Sequence, residues 1–367
     1  MKDTELFYTL ALLKVAGIRN VIAKRLLNHF GTAEKIFHVR SGELLAVEGI
    51  GTILCNKLRD RTVFSAAETE LKLIRKHNIQ AAFFKDDNYP YLLKYCNDGP
   101  VLLFSKGNIR LEQSKIISIV GTRQITSHGI AFCRKLIADL APWNPVIISG
   151  LAYGTDITAH REAMGNKLQT VAVLAHGLNR MYPAAHARFQ HPIMENGGFL
   201  TEFWSDAKPE REHFIQRNRI IAGISEATIV IESAEKGGAL ITAYMADGYN
   251  RDVFAVPGRT TDVFSFGCHT LLKTQRAQIL TEAADLVYML NWDRVDVAEK
   301  AVQRQLFVEL EPDEQSIYDF LSQNGRELLD LIALNCQLPV HKVSSLLLRM
   351  ELKGVIRPLP GKLFEIL

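Results

Sequence analysis

Cysteine is scarce in this chain and badly placed for any covalent or metal-binding framework. The five cysteines, Cys55, Cys96, Cys133, Cys268 and Cys336, are odd in number and never form a Cys-x-x-Cys pair. That pattern argues against disulfide staples and against a zinc site, so reduced and mostly buried thiols are expected and no metal is expected. Long apolar runs are missing too. The segment Leu6 to Leu13 ends at Lys14, far short of the roughly 20 residues needed to cross a bilayer. The N-terminus lacks the basic stretch, apolar run and small-residue cleavage site of a secretory signal, and the expectation is a cytoplasmic protein with no membrane contact. A surplus of one charge is absent as well. The net charge is +3, so any nucleic-acid site must be a local patch. Neither G-x-G-x-x-G nor G-x-x-x-x-G-K-[ST] occurs at a strand end, which weakens dinucleotide and nucleoside-triphosphate readings, and no cofactor is expected.

What is present is an ordinary globular balance, 47% hydrophobic and 23% charged, over a length of 367 residues that suggests two or three units. Residues 1–78 carry apolar residues at helical spacing, through Leu6, Leu10 and Leu13 and again through Ile22, Leu26, Leu27 and Phe30. From Lys115 the pattern becomes short apolar strands alternating with helices. Strands are expected at Ile116–Val120, Val146–Ile148, Thr170–Leu174, Phe199–Thr201, Ala227–Ile231 and Val253–Val256. Such alternation predicts an α/β fold, a Rossmann-like parallel sheet with helices on both faces, over residues 79–292. A charged stretch at 293–311 reads as a linker. Residues 312–367 read as three helices and two short strands around a Pro-Gly turn, the pattern of a winged helix.

Several turns carry the chemistry. In an open parallel sheet, ligands sit at the carboxyl ends of strands beside helix N-termini. The first strand ends in Gly121-Thr122-Arg123, where backbone N–H groups and a guanidinium suit an anion, although a tight turn with a solvated arginine fits the same residues. The second ends in Ser149-Gly150 and runs through Gly154 to Asp156 and His160, which share one helical face. They form an acid–base pair, half of a metal site or, as the residues favour, a helix cap and a hydrogen-bonded loop histidine. Arg217-Asn218-Arg219 precedes an apolar helical run, and salt bridges to Glu202, Glu226 or Glu232 compete with an anion-binding role. Lys236-Gly237-Gly238 opens a further helix, where glycine admits close approach by a phosphate. No catalytic group is identified. Tyr153 and Phe266 are candidates for stacking on a base.

Together these motifs resemble the DprA/Smf family, the DNA-processing proteins of bacterial natural transformation. The stretches that carry the likeness run from Tyr89-Pro90 and Leu103-Phe104 through Ser118–Arg123, Ser149–His160, Val171–Leu174, Tyr182-Pro183, Arg217–Ser225, Gly237–Ala243 and Val253–Gly258 to Gly267–Lys273. The resemblance implies a homodimer that binds single-stranded DNA cooperatively, protects it and recruits the RecA recombinase. It also implies phosphate contacts at Arg123, Lys236 and Lys273. Where many relatives carry serine beside the second glycine turn, this chain has Gly237 and Ala239, so no hydroxyl contact follows there.

The flanking segments add two further readings. Val47–Thr52 resembles the glycine turn of a helix-hairpin-helix, within an N-terminal helical (SAM/helix-hairpin-helix-like) domain. The winged helix either brings Lys342 to Lys353 near DNA or binds protein. Two other functions compete with DNA binding. A LOG-type phosphoribohydrolase shares the broad fold, but Thr242 is followed by Ala243, Tyr244 and Met245 where its carboxylates belong. A protein scaffold with vestigial phosphate turns is the other.

Overall fold

The computed structural model describes residues 2–112, 115–292, 310–359 and 361–367. The linker expected at 293–311 lies, as far as residue 309, outside the described residues. The chain forms two compact units, Met1–Thr281 and Glu282–Leu367.

The first unit begins with six helices, α1 (Asp3–Lys14), α2 (Asn20–Phe30), α3 (Ala33–His38), α4 (Ser41–Leu45), α5 (Thr52–Leu58) and α6 (Thr62–Lys76). An antiparallel pair follows, β1 (Gln80–Phe83) and β2 (Leu102–Gly107), with the short α7 (Tyr91–Lys94) between them. Alternation then takes over with β3 (Ile116–Val120), α8 (Ser127–Leu140), β4 (Val146–Ser149), α9 (Thr155–Gly165), β5 (Thr170–Val173), α10 (Gln190–Glu195) and β6 (Gly197–Thr201). It continues through α11 (Arg211–Ile224), β7 (Ala227–Val230), α12 (Gly238–Gly248), β8 (Asp252–Ala255), α13 (Phe266–Lys273) and β9 (Gln278–Ile279).

All nine strands form one sheet in the order β1-β2-β6-β5-β4-β3-β7-β8-β9. The seven strands from β6 to β9 along this row are parallel, and β2 joins β6 antiparallel. The central strands β3 to β7 are buried at every residue, which is why they read as continuous apolar runs rather than alternating ones. Two of their hydroxyls bond inward, Ser149 Oγ donating to the Ile119 carbonyl (2.6 Å) and Ser118 Oγ to that of Ile221 (2.7 Å). The six expected strands are all present. β1, β2 and β9 were not expected: β9 has two residues, and the antiparallel pair lies among turn residues with weak patterning.

The N-terminal helices share one hydrophobic cluster with the antiparallel side of the sheet, Leu10, Leu26 and Phe37 joining Phe83, Phe104 and Phe199. A polar clamp reinforces this contact. Arg219 of α11 pairs with buried Glu202 just beyond β6 and donates to the Asp98 carbonyl. Asn20, the first residue of α2, donates to the same Glu202 carboxylate (3.0 Å) and accepts from the Val101 N–H (2.9 Å). Burial pushes the Glu202 carboxyl up, and Arg219 opposes that shift.

The second unit holds α14 (Ala283–Met289), α15 (Pro312–Asn324), β10 (Glu327–Leu328), α16 (Leu329–Asn335), α17 (Val340–Leu352), β11 (Ile356–Leu359) and β12 (Leu363–Ile366). The last three strands pair in the order β10-β12-β11 over a core of Ile317, Leu321, Ile332, Leu346, Leu347 and Met350. This is the winged-helix arrangement, with β10 added to the two strands expected. Cys336 is half-buried, the other four cysteines are buried, and all five are unpaired.

Arg219→Ala would strand the Glu202 carboxylate in the interior. Breaking a buried pair in this way costs about 3–5 kcal/mol. Urea unfolding should therefore show a large fall in midpoint for the variant, and an unchanged midpoint would show that the clamp does not hold the helices to the sheet.

Candidate nucleic-acid interface

The topology reverses between β3 and β7, since the chain builds β4, β5 and β6 on one side of β3 and β7 to β9 on the other. Ligands of open α/β sheets bind in the crevice at such a switch point. Here the crevice is filled from within. Glu232, buried beyond β7, accepts from the Thr126 N–H (2.8 Å) and from Thr126 Oγ1 (2.5 Å) at the cap of α8. Its carboxylate lies so close to α8 that a Cβ on Gly129 would come within 2.6 Å of it. The expected anion site at the start of α8 is therefore occupied by the protein's own anion. Free N–H groups at the Gly121–Ser127 turn are not what an external phosphate meets first.

The three turns nonetheless form one continuous rim. The Thr122 N–H donates to the Glu232 carbonyl (2.7 Å), joining the β3 and β7 turns. The Thr155 N–H donates to the Thr122 carbonyl (3.1 Å), joining the β3 and β4 turns. Gly154, at φ +76°, makes that junction possible, because a side chain there would lie 2.5 Å from the Arg123 carbonyl carbon.

A cleft opens along this rim on the β5 side. Arg123, Tyr153, His176, Tyr182, Phe214 and Arg217 line it with the ends of β4 and β5, and no Asp or Glu lines it. Phe214 and Arg217 stand one helical turn apart on α11, and both guanidiniums flank the same ring: Arg123 lies 5.7 Å and Arg217 5.9 Å from the Phe214 centroid. Tyr182 meets that ring edge-on at 5.9 Å. Arg123 is exposed, whereas Arg217 is buried and donates to the Val173 carbonyl (2.5 Å) and to Asn218 Oδ1 (3.2 Å). Burial lowers the Arg217 pKa, and the Asp156 carboxylate opposes the shift. Gly150 leaves the room in which Arg217 and Asp156 approach each other.

The remaining expected site residues divide clearly. Lys236 is exposed on the β7 turn, without an ion pair among the described residues, beside the N-terminus of α12 that Gly237 and Gly238 begin. It belongs to the rim but does not line the cleft. Lys273 is exposed at the last position of α13, about 10 Å along the axis from the end of that helix where the Gly267 N–H meets Ser233. Arg219 faces the interior, committed to Glu202 as described. Asp156 accepts from the Ala152 N–H (3.1 Å) within its own turn. His160 is wholly buried, with Nδ1 2.6 Å from Thr170 Oγ1 and Nε2 2.7 Å from the Gly150 carbonyl. Burial lowers its pKa, and both ring nitrogens meet partners inside the fold. Tyr153 is half exposed at the cleft, while Phe266 lies beside the β7 turn outside it. Sequence reasoning did not assign His176, Tyr182, Phe214 or Glu232 to the site. For Phe214 the signal was available, because it precedes Arg217 by three residues.

Fold and rim together define a Rossmann-like α/β protein with a cationic, aromatic-lined edge, followed in the chain by a winged helix. Residues 80–291 match the family described as DNA recombination-mediator protein A, and residues 304–362 match the DprA winged helix domain. The chain belongs to the DprA/Smf family. Protein Smf of Synechocystis is 36% identical over 286 residues, covering 77% of this chain and 72% of its own. The X-ray structure of DNA processing protein A from Streptococcus pneumoniae superposes with a TM-score of 0.63 at 32% identity, covering 78% of this chain and 98% of its own. A Helicobacter pylori DNA processing protein A, described for its single-stranded DNA binding mode, gives a TM-score of 0.53 at 26% identity, covering 59% of this chain and 96% of its own.

Glu232→Ala should remove both side-chain acceptors of Thr126, the cap residue of α8, and so loosen the start of α8 from the end of β7. Hydrogen bonds to a charged group contribute about 1.5–3 kcal/mol, so a loss of that order is expected in chemical denaturation. Wild-type stability in this variant would show that the filled crevice is not structural.

Proposed function

We propose that this protein binds single-stranded DNA along the rim, without cleaving it, and delivers the strand to a RecA-type recombinase as a homodimer. The observation that carries the reading is the cleft, in which two guanidiniums and three aromatic rings meet with no carboxylate among them. Guanidiniums hold phosphate oxygens, and rings accept unstacked bases whatever their sequence. A duplex keeps its bases stacked inside and leaves the rings unused. His160, with both ring nitrogens committed to Thr170 and Gly150 inside the fold, is held away from the cleft. The Helicobacter pylori relative, described as binding single-stranded DNA, adds weight from outside the chain. Gly121, Thr122 and Arg123, with Lys236, Gly237 and Gly238 on the adjoining turn, provide a path for the backbone past the cleft. Recombinase recruitment and dimer formation rest on family membership.

The test is a fluorescence-anisotropy titration of labelled oligo(dT) at two salt concentrations. Arg123→Ala should weaken binding about tenfold, or about 1.4 kcal/mol. Removing one cation that neutralises a phosphate should reduce the logarithmic salt slope by about 0.7. Lys236→Ala should act in the same direction, and Lys273→Ala should act less because of its distance along α13. Equal affinity of wild type and Arg123→Ala would remove the cleft from the interface.

A further inference from the structure

The two arginines of the cleft are not equivalent. Arg123 is exposed, where a phosphate of a passing strand meets it first. Arg217 is 5% exposed and is fixed from several sides. Its Nη1 donates to the Val173 carbonyl (2.5 Å) and its Nε to Asn218 Oδ1 (3.2 Å). Gly150 must lack a side chain for this placement, since a Cβ there would come within 2.4 Å of Nη1. These contacts use one hydrogen of Nη1 and that of Nε. The Nη2 group has no hydrogen-bond partner among the described residues, although Arg217 lines the cleft. A buried charged group with donors unmet calls for a ligand that accepts.

A phosphate suits that position poorly. The Asp156 carboxylate lies close enough to offset the Arg217 charge. The same Cβ position on Gly150 is 2.4 Å from Asp156 Oδ2 and 2.7 Å from Arg217 Nη2, so both groups crowd one point. What remains at the inner end of the cleft is directed N–H groups with little net positive charge, beside a carboxylate that repels an anion. A neutral edge bearing acceptors fits. Nucleobases have such edges, and the guanidinium fork matches the O6 and N7 acceptors of guanine. Adenine carries an amino donor at position 6, which would set donor against donor, and thymine offers O4 alone. Tyr153, Tyr182 and Phe214 line the same cleft and supply ring surface for the faces of one base.

We infer that Arg217 is a base-reading residue, which donates to the O6 and N7 edge of a single guanine turned out of the strand into the cleft. Arg123 holds a neighbouring phosphate. This rests on the single-stranded DNA binding proposed above and adds to it one position of sequence preference within otherwise sequence-tolerant binding. Burial and fixed hydrogen bonds give Arg217 the rigidity that reading an edge requires, whereas the exposed Arg123 can follow a backbone of any sequence.

The test is fluorescence anisotropy on the full-length wild-type protein, with labelled thymidine strands that differ only at one central nucleotide. A central dG should bind about tenfold tighter than a central dA. In 7-deaza-dG the N7 acceptor becomes a C–H, and most of the gain should vanish. Deoxyinosine keeps O6 and N7 without the amino group of guanine, and should retain the gain. The ratio should hold at two salt concentrations, because no phosphate contributes to it. Arg217→Lys should bring the dG and dA strands to equal affinity, since a point charge does not reproduce the fork. The modified strands need no variant, and they decide the matter if that protein folds poorly. Equal binding of dG and dA strands, retention of the gain by 7-deaza-dG, its loss with deoxyinosine, or its persistence in folded Arg217→Lys would each overturn the proposal. A gain that shrinks as salt rises would overturn it in favour of a second phosphate contact. Arg123→Ala should weaken the dG and dA strands alike. If it weakens neither while the guanine preference stands, the phosphate path along the rim fails and the reading of a base by Arg217 does not.

Discussion

The Glu232 carboxylate at the start of α8 decides where this protein can hold anything. Helix N-termini at a switch point attract anions because unpaired N–H groups and the helix dipole converge there. By placing an internal carboxylate on Thr126, the chain meets that demand itself and ties the end of β7 to the start of α8. The exposed Arg123 lies beside this filled position, at the mouth of the cleft. The glycines of the β3 and β4 turns then serve to pack turn on turn, with Gly154 against Arg123 and Gly150 against Arg217. The absence of a dinucleotide fingerprint and the presence of a filled crevice are two views of one design. At the switch point the space beside the start of α8 is taken by Glu232.

Much of this was legible in the residues. The six parallel strands announced themselves because burial on both faces forces continuous apolar runs. The winged helix was visible from helix spacing and the Pro-Gly turn. The glycine- and arginine-bearing strand ends were legible, and Arg123 and Lys236 lie on adjoining turns, whereas Arg217 reaches the cleft from within α11. Less was legible about which charged side chains face outward. Arg217 and Arg219 are two positions apart on α11 and have different fates, since one flanks the cleft and the other is absorbed by Glu202 and Asp98. That choice depends on residues 17 and more than 100 positions away, which no local pattern encodes. Glu232 was similarly opaque, because a carboxylate after a strand reads as solvated until Thr126 is seen to receive it. The same holds for Lys342, Arg349 and Lys353, whose basic appearance disappears once α15 supplies carboxylates.

The two units handle charge in opposite ways. In the rim, two guanidiniums flank Phe214, Arg217 buried against Val173 and near Asp156 while Arg123 is exposed. In the winged helix Lys342, Arg349 and Lys353 are each matched by a carboxylate of α15 or its cap. Both occur within a chain whose overall charge barely departs from balance.

The placement of β2 sets a condition on how the chain is made. Its partner on the inner side is β6, with Phe104 opposite Thr201, about a hundred residues further along. At ribosomal speeds of about 5–20 residues per second, the inner edge of that strand waits for about 5–20 s without its partner, while β1 already pairs with the outer edge. Over that interval the N-terminal helices, already synthesised and packed against Phe83 and Phe104, are the natural shelter for the nascent hairpin. The helical segment would then act as an intramolecular chaperone before it serves any other purpose.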